Sequence, residues 1–268
     1  MDSIQTVRAL QHREEGTRAV EDAVVVEEPL EIRVNGRPFS ATMRTPQGDD
    51  TDRFLTLGLL LAEGIIEDYD DVVEVKISAR CRDFDDSLTN VADAILHDEV
   101  PADSSKWARG LIANSSCGLC GHASVEALSS QLTPLNATPL NVEQLRQLPA
   151  QMRERQTLFS QTGGLHAAAI FNSQGELLAC FEDIGRHNAT DKAIGYCLCS
   201  GLLFTPENLT LLVSGRASFE IVQKALRARI VTVAAVSAAS SLAVALAHKN
   251  NLNLVGFLRE RGLTVYTK

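Results

Sequence analysis

The sequence predicts an α/β protein in two parts, a smaller mixed α+β domain and a larger α/β domain after it. Two observations predict this division. Strand and helix patterns alternate from residue 209 to residue 257, which is typical of a sheet with a parallel portion and helices packed on both faces. The segment 132–142 contains two prolines that interrupt helical and strand patterns alike, so we place the domain boundary at about residue 135.

The smaller domain, residues 23–135, follows a charged and aperiodic stretch over residues 1–22 that we expect to be a flexible tail. Asn35-Gly36 is the strongest short signal of a β-hairpin, and Gly64 ends a segment with apolar residues on one helical face. The predicted elements are strands over 30–34 and 39–44, a helix over 50–63, strands over 72–77 and 88–97, and a helix over 122–131.

The larger domain, residues 136–268, has a clearer rhythm of short strands and amphipathic helices. The predicted elements are a helix over 143–158, a hairpin of 164–171 and 176–182, a helix over 188–200, and then strand and helix in turn over 209–214, 218–229, 230–237, 240–249 and 252–257. Ligands of such sheets bind beyond the carboxyl ends of the strands, so polar residues at those ends are candidate site residues.

Three polar clusters, each containing arginine, fall at predicted strand ends. Their candidate ligand-binding residues are Arg186 and His187; Ser214, Gly215 and Arg216; and Phe257, Leu258, Arg259, Glu260, Arg261 and Gly262. Free amides at the helix start after Gly215, together with Arg216, could hold a phosphate. Each cluster also has an ordinary interpretation as a capped helix start or turn. For the cluster of Arg186 and His187, this interpretation makes Asp191 and Lys192, in the first turns of the helix, solvated charges.

A second feature is a pair of cysteines at C-x-x-C spacing, Cys117 and Cys120, in a run of small and turn-forming residues. Gly118 and Gly121 allow unusual backbone conformations and leave both sulfurs unshielded. Such a pair can supply a reactive thiolate, close a disulfide, or provide half of a zinc site. The loop alone therefore leaves sulfur chemistry, thiol–disulfide exchange and structural zinc binding open.

The composition limits the classes of ligand and the cellular compartments that fit this chain. The net charge of −9 argues against a general nucleic-acid surface, so a phosphate-bearing ligand would need a local cationic site. We expect no signal peptide and no membrane span, and we expect a cytoplasmic protein whose six cysteines are reduced. Besides Cys117 and Cys120 these are Cys81, Cys180, Cys197 and Cys199, which we interpret as buried or incidental.

The chain also resembles a known family, the formate dehydrogenase accessory sulfurtransferases or FdhD family, over about residues 24 to 268. The central block is Ser116-Cys-Gly-Leu-Cys-Gly121. The other blocks are Thr162-Gly-Gly-Leu-His-Ala-Ala-Ala169, Glu182-Asp-Ile-Gly-Arg-His-Asn-Ala-Thr-Asp-Lys192, Ser214-Gly-Arg-Ala-Ser-Phe-Glu220, Val255-Gly-Phe-Leu-Arg259, and in the first part Asn35-Gly36, Arg44-Thr-Pro46, Leu57-Gly58 and Glu63-Gly-Ile-Ile66. Motifs of this length are specific.

The resemblance implies a sulfur carrier that takes persulfide sulfur from a cysteine desulfurase and passes it to the molybdenum bis(guanine dinucleotide) cofactor of formate dehydrogenase. By motif, Cys117 would hold the persulfide and Cys120 would assist or resolve it. Residues 257–262 correspond to the family's cofactor-binding stretch, although Arg259-Glu260-Arg261 is more charged than the turn often found there. A homodimer is also implied.

The family is related in fold to the cytidine deaminases, so the resemblance predicts a deaminase-like three-layer α/β/α arrangement for the larger domain. Zinc deaminases need His-x-Glu at one helix start and Pro-Cys-x-x-Cys at the next. Here the sequence has His187-Asn-Ala and Ser214-Gly-Arg-Ala-Ser, without the carboxylate or the thiolates. We therefore expect no deaminase chemistry and, because no four-ligand set can be assembled, no bound metal.

Overall fold

The structure, a computed structural model, describes residues 2–78, 90–98, 100 and 132–267. Its strands form three sheets of two, four and six strands. None of the helices in these ranges has the length and apolar character needed to cross a lipid bilayer. The predicted helix over 122–131 lies outside the described residues.

The two-stranded sheet is an antiparallel ribbon formed by β1, Ile4–Arg13, and β2, Gly16–Val25. The stretch over residues 1–22, which we expected to be a flexible tail, therefore contains regular β-strands. Charged residues occupy many exposed positions of the two strands. The apolar residues between them therefore do not form the strict alternation that predicts a strand from sequence. Their backbone pairing is nevertheless continuous from Ile4↔Val25 to Arg13↔Gly16.

The four-stranded sheet, in the order β4-β3-β6-β5, confirms the strands predicted for the first part. The strands are β3 Glu28–Val34, β4 Arg37–Arg44, β5 Val72–Ser78 and β6 Asn90–Leu96. Asn35 and Gly36 turn the β3–β4 hairpin with φ of 49° and 75°, the left-handed geometry that this pair of residues favours. Helix α1, Asp49–Glu63, ends at Gly64 in the same left-handed region, as predicted.

The second part contains six strands and five helices among the described residues. They are α2 Val142–Arg155, α3 Thr157–Thr162, β7 His166–Phe171, β8 Leu177–Asp183, α4 Arg186–Cys199, β9 Thr210–Val213, α5 Phe219–Arg227, β10 Thr232–Ala235, α6 Ser241–Lys249, β11 Asn253–Arg259 and β12 Gly262–Val265. The alternation of strand and helix predicted from residue 209 onwards is confirmed, and β12 is a strand that the pattern did not predict.

The single helix predicted over 143–158 is instead two helices that meet at Gln156. The backbone of Gln156 is not helical, with φ −81° and ψ 66°. The carboxylate of Glu182 accepts hydrogen bonds from the amides of Leu158 at 2.9 Å and Phe159 at 2.7 Å. These amides open α3, so a residue distant in sequence caps the start of a new helix.

The six-stranded sheet has the order β12-β11-β10-β9-β7-β8, with β9, β10 and β11 parallel and the other pairs antiparallel. Alternate residues of each strand pack on opposite faces. Ala168, Leu211 and Val233 join the large core with α4, α5 and α6, whereas Ala169 and Leu212 join a smaller core with α2. Helices thus cover both faces of the sheet, as predicted. The more specific expectation, a layer arrangement like that of the cytidine deaminases, stays a prediction.

The two parts meet where α1 crosses α4 at very short range. A Cβ atom at Gly58 would lie 2.0 Å from the carbonyl oxygen of Asp191, and one at Gly195 would lie 1.9 Å from that of Phe54. The large core runs without interruption from Leu30 to Leu254, through both parts. The domain boundary near residue 135 stays a prediction, and any two such domains would share one core.

Candidate functional site

The turns that follow the parallel strands are joined by backbone hydrogen bonds along one edge of the six-stranded sheet. The amide of Ser214 donates to Ala167 at 2.9 Å, that of Ser237 donates to Gly215 at 3.3 Å, and that of Phe257 donates to Ser237 at 3.0 Å. The carboxyl ends of β9, β10 and β11 therefore present a continuous row of turns. We call this row, with the adjoining ends of β7 and β8, the carboxyl edge.

Arg186 and His166 lie together beside the turn at Gly215. A Cβ atom built on Gly215 would lie 3.6 Å from His166 Nδ1 and 3.7 Å from Arg186 Cδ, so glycine leaves open the space that both side chains border. The buried Arg186 Nε has no hydrogen-bond partner among the described residues. Arg216, in the same turn, is exposed. Two guanidinium groups at this edge can bind an anion.

His166 was not among the predicted site residues. Burial lowers its pKa, and the charges of Arg186 and His187 lower it further. The ring is therefore a neutral hydrogen-bonding group at neutral pH, beside two cationic side chains. It starts β7, and because β7 runs antiparallel to β9, its first residue lies at the carboxyl end of β9. Only the strand order shows this juxtaposition.

His187 contacts Glu220, a residue that was not among the predicted site residues. Nε2 of His187 lies 2.8 Å from Oε2 of Glu220, and the two side chains are 31% and 30% exposed. The close approach of the His187 ring lowers the pKa of Glu220 against the opposing effect of burial. The two residues start neighbouring helices, α4 and α5, so the sheet order brings the start of one helix against the start of the other.

The remaining charged residues of the segment 182–192 face inward. Lys192 is fully buried, and its Nζ donates to Asp183 Oδ2 at 2.6 Å and to the carbonyl oxygens of Thr45 at 3.2 Å and Glu182 at 3.4 Å. All three of its protons therefore have acceptors. Asp191 is also buried and contacts Lys224 Nζ at 2.7 and 2.9 Å. The interpretation of Asp191 and Lys192 as solvated charges is wrong.

Asn188 completes this inward set and joins α4 to the first part of the chain. Its Nδ2 donates to the carbonyl oxygen of Met43 at 2.7 Å and to Asp183 Oδ1 at 3.0 Å. Asp183 Oδ2 also accepts from the amide of Thr45 at 3.2 Å. The polar residues of this segment thus fasten the start of α4 to the end of β4, and leave Arg186 and His187 at the carboxyl edge.

The third predicted cluster, residues 257–262, lies at the end of β11 and in its hairpin with β12. Phe257 has a left-handed backbone, with φ 52°, and its side chain is 49% exposed. Leu258 is fully buried in the smaller core, so its side chain does not face a ligand. Arg259 Nη1 donates to the carbonyl oxygens of Val236 and Leu258. Gly262 pairs with Arg259, which puts Glu260 and Arg261 in the exposed turn between them.

The predicted catalytic cysteines, Cys117 and Cys120, lie outside the described residues, as does Cys81. Of the described thiols, Cys197 is buried and Cys180 and Cys199 are half-buried, all three free. Burial raises the pKa of Cys180 and of Cys197 to about 12, which leaves very little thiolate at neutral pH. The described ranges contain no group of three or more His, Cys, Asp or Glu side chains that could hold a metal ion.

Comparison with known proteins assigns the family. The FdhD/NarQ family model matches residues 25–268. The chain belongs to the FdhD/NarQ family. Curated relatives named sulfur carrier protein FdhD include those of Streptomyces avermitilis, 46% identical with 91% of this chain and 87% of the relative covered, and Mycobacterium tuberculosis, 46% identical with 92% and 90% covered. The relative from Saccharolobus solfataricus is 39% identical over 92% of this chain and 89% of its own.

A solved structure supports the fold of this FdhD/NarQ protein. The crystal structure described as that of a formate dehydrogenase accessory protein from Desulfotalea psychrophila superposes with a TM-score of 0.76 and covers 100% of this chain and 98% of the other. At 21% identity this likeness concerns the fold alone. The family match begins at Val25, the last residue of β2, so the ribbon of β1 and β2 lies before it.

Proposed function

We propose that this chain carries sulfur as a persulfide on Cys117, taking it from a cysteine desulfurase and passing it to the molybdenum bis(guanine dinucleotide) cofactor that formate dehydrogenase receives. Membership of the FdhD/NarQ family and relatives named as sulfur carriers support sulfur transfer and a role in formate dehydrogenase maturation. The C-x-x-C motif supports Cys117 as the acceptor and Cys120 as the assisting thiol. A cytoplasmic setting would keep both thiols reduced.

The carboxyl edge is the observation that supports binding of the cofactor, which accepts the sulfur. The cofactor is a large polyanion, and binding it in a chain of net charge −9 requires a local cationic site. The edge offers Arg186, whose buried Nε has no partner in the part of the chain that the structure describes, exposed Arg216, and neutral His166 as a hydrogen-bonding group. Diphosphate oxygens are the acceptors that such an arrangement binds well.

Phe257 supports the guanine nucleotide as the recognised part of that cofactor. A bulky residue at positive φ carries a backbone cost, and such residues concentrate at ligand-binding sites. The half-exposed ring stands one strand beyond the turn of Ser237 and two strands beyond that of Gly215. A guanine base stacked on Phe257 would place its diphosphate along the row of turns toward Arg216 and Arg186.

The sulfur-accepting step is tested by a mass spectrum of the protein after incubation with a cysteine desulfurase and cysteine. Wild type should gain one sulfur atom, Cys117→Ala should gain none, and Cys120→Ala should load but pass sulfur on poorly. Cys180→Ala is the matched control, because burial raises the pKa of that thiol to about 12, and it should load as wild type does. Sulfur gained by Cys117→Ala at the wild-type level would contradict the assignment of the acceptor.

The same protein should carry no stoichiometric metal, and elemental analysis decides this point. One zinc per chain, lost when Cys117 or Cys120 is replaced, would instead support the structural zinc site that the loop sequence left open.

Ligand binding is tested by titration with guanosine diphosphate, with adenosine diphosphate as the control nucleotide. A hydrogen bond to a charged group contributes about 1.5–3 kcal/mol, so Arg186→Ala and Arg216→Ala should each weaken binding about tenfold or more. Arg259→Ala should have a smaller effect, because its guanidinium already donates to the carbonyl oxygens of Val236 and Leu258. Arg153→Ala, an exposed arginine on α2, should bind as wild type does. Equal affinity for both nucleotides would contradict guanine recognition at this edge.

A further inference from the structure

A small recess at the carboxyl edge is bordered by side chains that carry or can accept positive charge. It lies at Gly215, where an added Cβ atom would be 3.6 Å from His166 Nδ1 and 3.7 Å from Arg186 Cδ. Arg216 follows in the same turn and is exposed. Glycine therefore leaves room for a small group beside a histidine and two arginines, and we call this space the Gly215 recess.

Backbone and side-chain contacts fix His166 beside the recess. The amide of Ala167 donates to Ser214 Oγ at 2.9 Å, and the amide of Ser214 donates back to the carbonyl oxygen of Ala167 at 2.9 Å. His166 precedes Ala167 at the start of β7 and is half-buried. The ring is therefore held at the recess before a ligand arrives, which lowers the entropic cost of using it as a contact.

The carboxylates nearest to the recess are occupied by other partners. Asp183 is fully buried, and its two oxygens accept from Lys192 Nζ at 2.6 Å and from the amide of Gly185 at 2.8 Å. Glu220 Oε2 lies 2.8 Å from the ring of His187. Neither carboxylate is therefore available as a counter-ion for a protonated His166, and the recess can gain such a counter-ion from an anionic ligand.

The ring of His166 is neutral at neutral pH when the recess holds no anion. Burial lowers its pKa, Arg186 and His187 of α4 lower it further, and Asp183 of β8 raises it by less. The negative charge of a phosphate group beside the ring would oppose the two cations and favour the protonated form. Binding of the phosphate and protonation of the ring then strengthen each other, because coupling between two sites is reciprocal.

We propose that His166 takes up a proton when a phosphate group enters the Gly215 recess, so that an imidazolium and the guanidinium of Arg186 hold the anion together. The proton comes from the solvent and returns to it when the ligand leaves. The buried Nε of Arg186, which lacks a hydrogen-bond partner within the described ranges, can donate to the same anion. The inference rests on the proposed function, because it concerns a phosphate of the same ligand, but it does not depend on which base the nucleotide carries.

Isothermal titration calorimetry in buffers of different ionisation enthalpy counts the protons that are taken up on binding. The probe is GDP-mannose, whose doubly esterified diphosphate lacks the ionisation at about pH 6 of a terminal phosphate. At about pH 6.5, the ordinary pKa of histidine, wild type should take up about 0.5 proton or more, and its affinity should fall about threefold or more over the next pH unit. His166→Gln should take up almost no proton. His97→Gln, at an exposed histidine just after β6, should take up as much as wild type.

ADP-ribose as a second probe separates this inference from guanine recognition. It is also a doubly esterified diphosphate, so equal affinity for the two probes would contradict guanine recognition, whereas the proton count would still test His166. Nitrogen NMR of the imidazole rings provides a measurement on wild type itself, in which GDP-mannose should shift the His166 signals toward the protonated form. No proton uptake by wild type, uptake that persists in His166→Gln, or failure of both probes to bind would overturn the proposal.

Discussion

The segment 182–192 has an inner side and an outer side that differ in what their polar groups do. On the inner side, Asp183, Asn188 and Lys192 are buried and have protein partners for their hydrogen-bonding groups. On the outer side, Arg186 and His187 reach the carboxyl edge, and the Nε of Arg186 has no partner among the described residues. One motif therefore contains residues that hold the fold and residues that are available to a ligand.

The difference teaches that charge at a predicted strand end does not by itself mark a binding residue. Lys192 and Asp183 pair at 2.6 Å with both side chains fully buried, and their contacts fasten α4 to the end of β4. An ion pair in such a place is costly to break because the remaining charge stays buried. Substitution on the inner side should therefore cost stability, whereas substitution on the outer side should cost binding.

The largest effect is expected at Lys192. Lys192→Met leaves the Asp183 carboxylate buried without its cation, which should lower the free energy of unfolding by about 3–5 kcal/mol. Urea unfolding followed by circular dichroism measures this change. Lys76→Met is the control, since Lys76 pairs with Glu74 at the surface, and its effect should be below about 1 kcal/mol. Equal effects of the two substitutions would mean that the buried ion pair of Lys192 stabilises the fold no more than an exposed one.

The close crossing of α1 and α4 gives the next effect. The Cβ atom of Gly195→Ala would lie 1.9 Å from the carbonyl oxygen of Phe54, so the helices must move apart. Overpacking of this kind costs about 1–3 kcal/mol, more than the helix propensity that alanine gains. Gly262→Ala meets no atom within 4 Å and should leave the unfolding transition nearly unchanged. Thermal melts that show no difference between these variants would argue against a tight crossing.

Phe257→Gly should separate binding from stability on the outer side. Glycine removes the cost of the left-handed backbone, about 1 kcal/mol, and this gain roughly offsets the lost burial of a half-exposed ring. Stability should therefore change little. Stacking of a base on an aromatic ring contributes about 1–3 kcal/mol, so affinity for guanosine diphosphate should fall about tenfold. Undiminished affinity would mean that the base lies elsewhere.

The smallest effect is a pH dependence from His166. Its pKa is lowered in the folded chain, first by burial and then by Arg186 and His187, so the unfolded chain binds the proton more readily. The stability that its neutral form contributes is complete above the unfolded pKa of about 6.5 and is lost as the pH falls through the lower folded pKa. His166→Gln should lose less stability than wild type between pH 7.5 and pH 5.5, as urea unfolding at the two pH values measures.

Local patterns predicted most of the regular elements because their signals are local. Asn35-Gly36 required a left-handed turn, Gly64 ended α1, and the alternation after residue 209 produced β9 to β11 with α5 and α6. Two features were missed, one because it depends on a distant partner and the other because its apolar pattern is irregular. The break at Gln156 is stabilised by a carboxylate of β8, and the ribbon of β1 and β2 has its apolar residues spread between charges.

The sequence by itself determined the α/β class, the position of the polar clusters at strand ends, and the resemblance that the family match confirmed. Only the tertiary structure decided which polar residues of those clusters face outward. His166 and Glu220 come to Arg186 and His187 because strand order sets elements side by side that are distant in sequence. Lys192 is buried because the interior offers an acceptor for each of its three protons. These acceptors come from β8 and from the end of β4. Burial of a charge depends on such partners, and no local pattern records them.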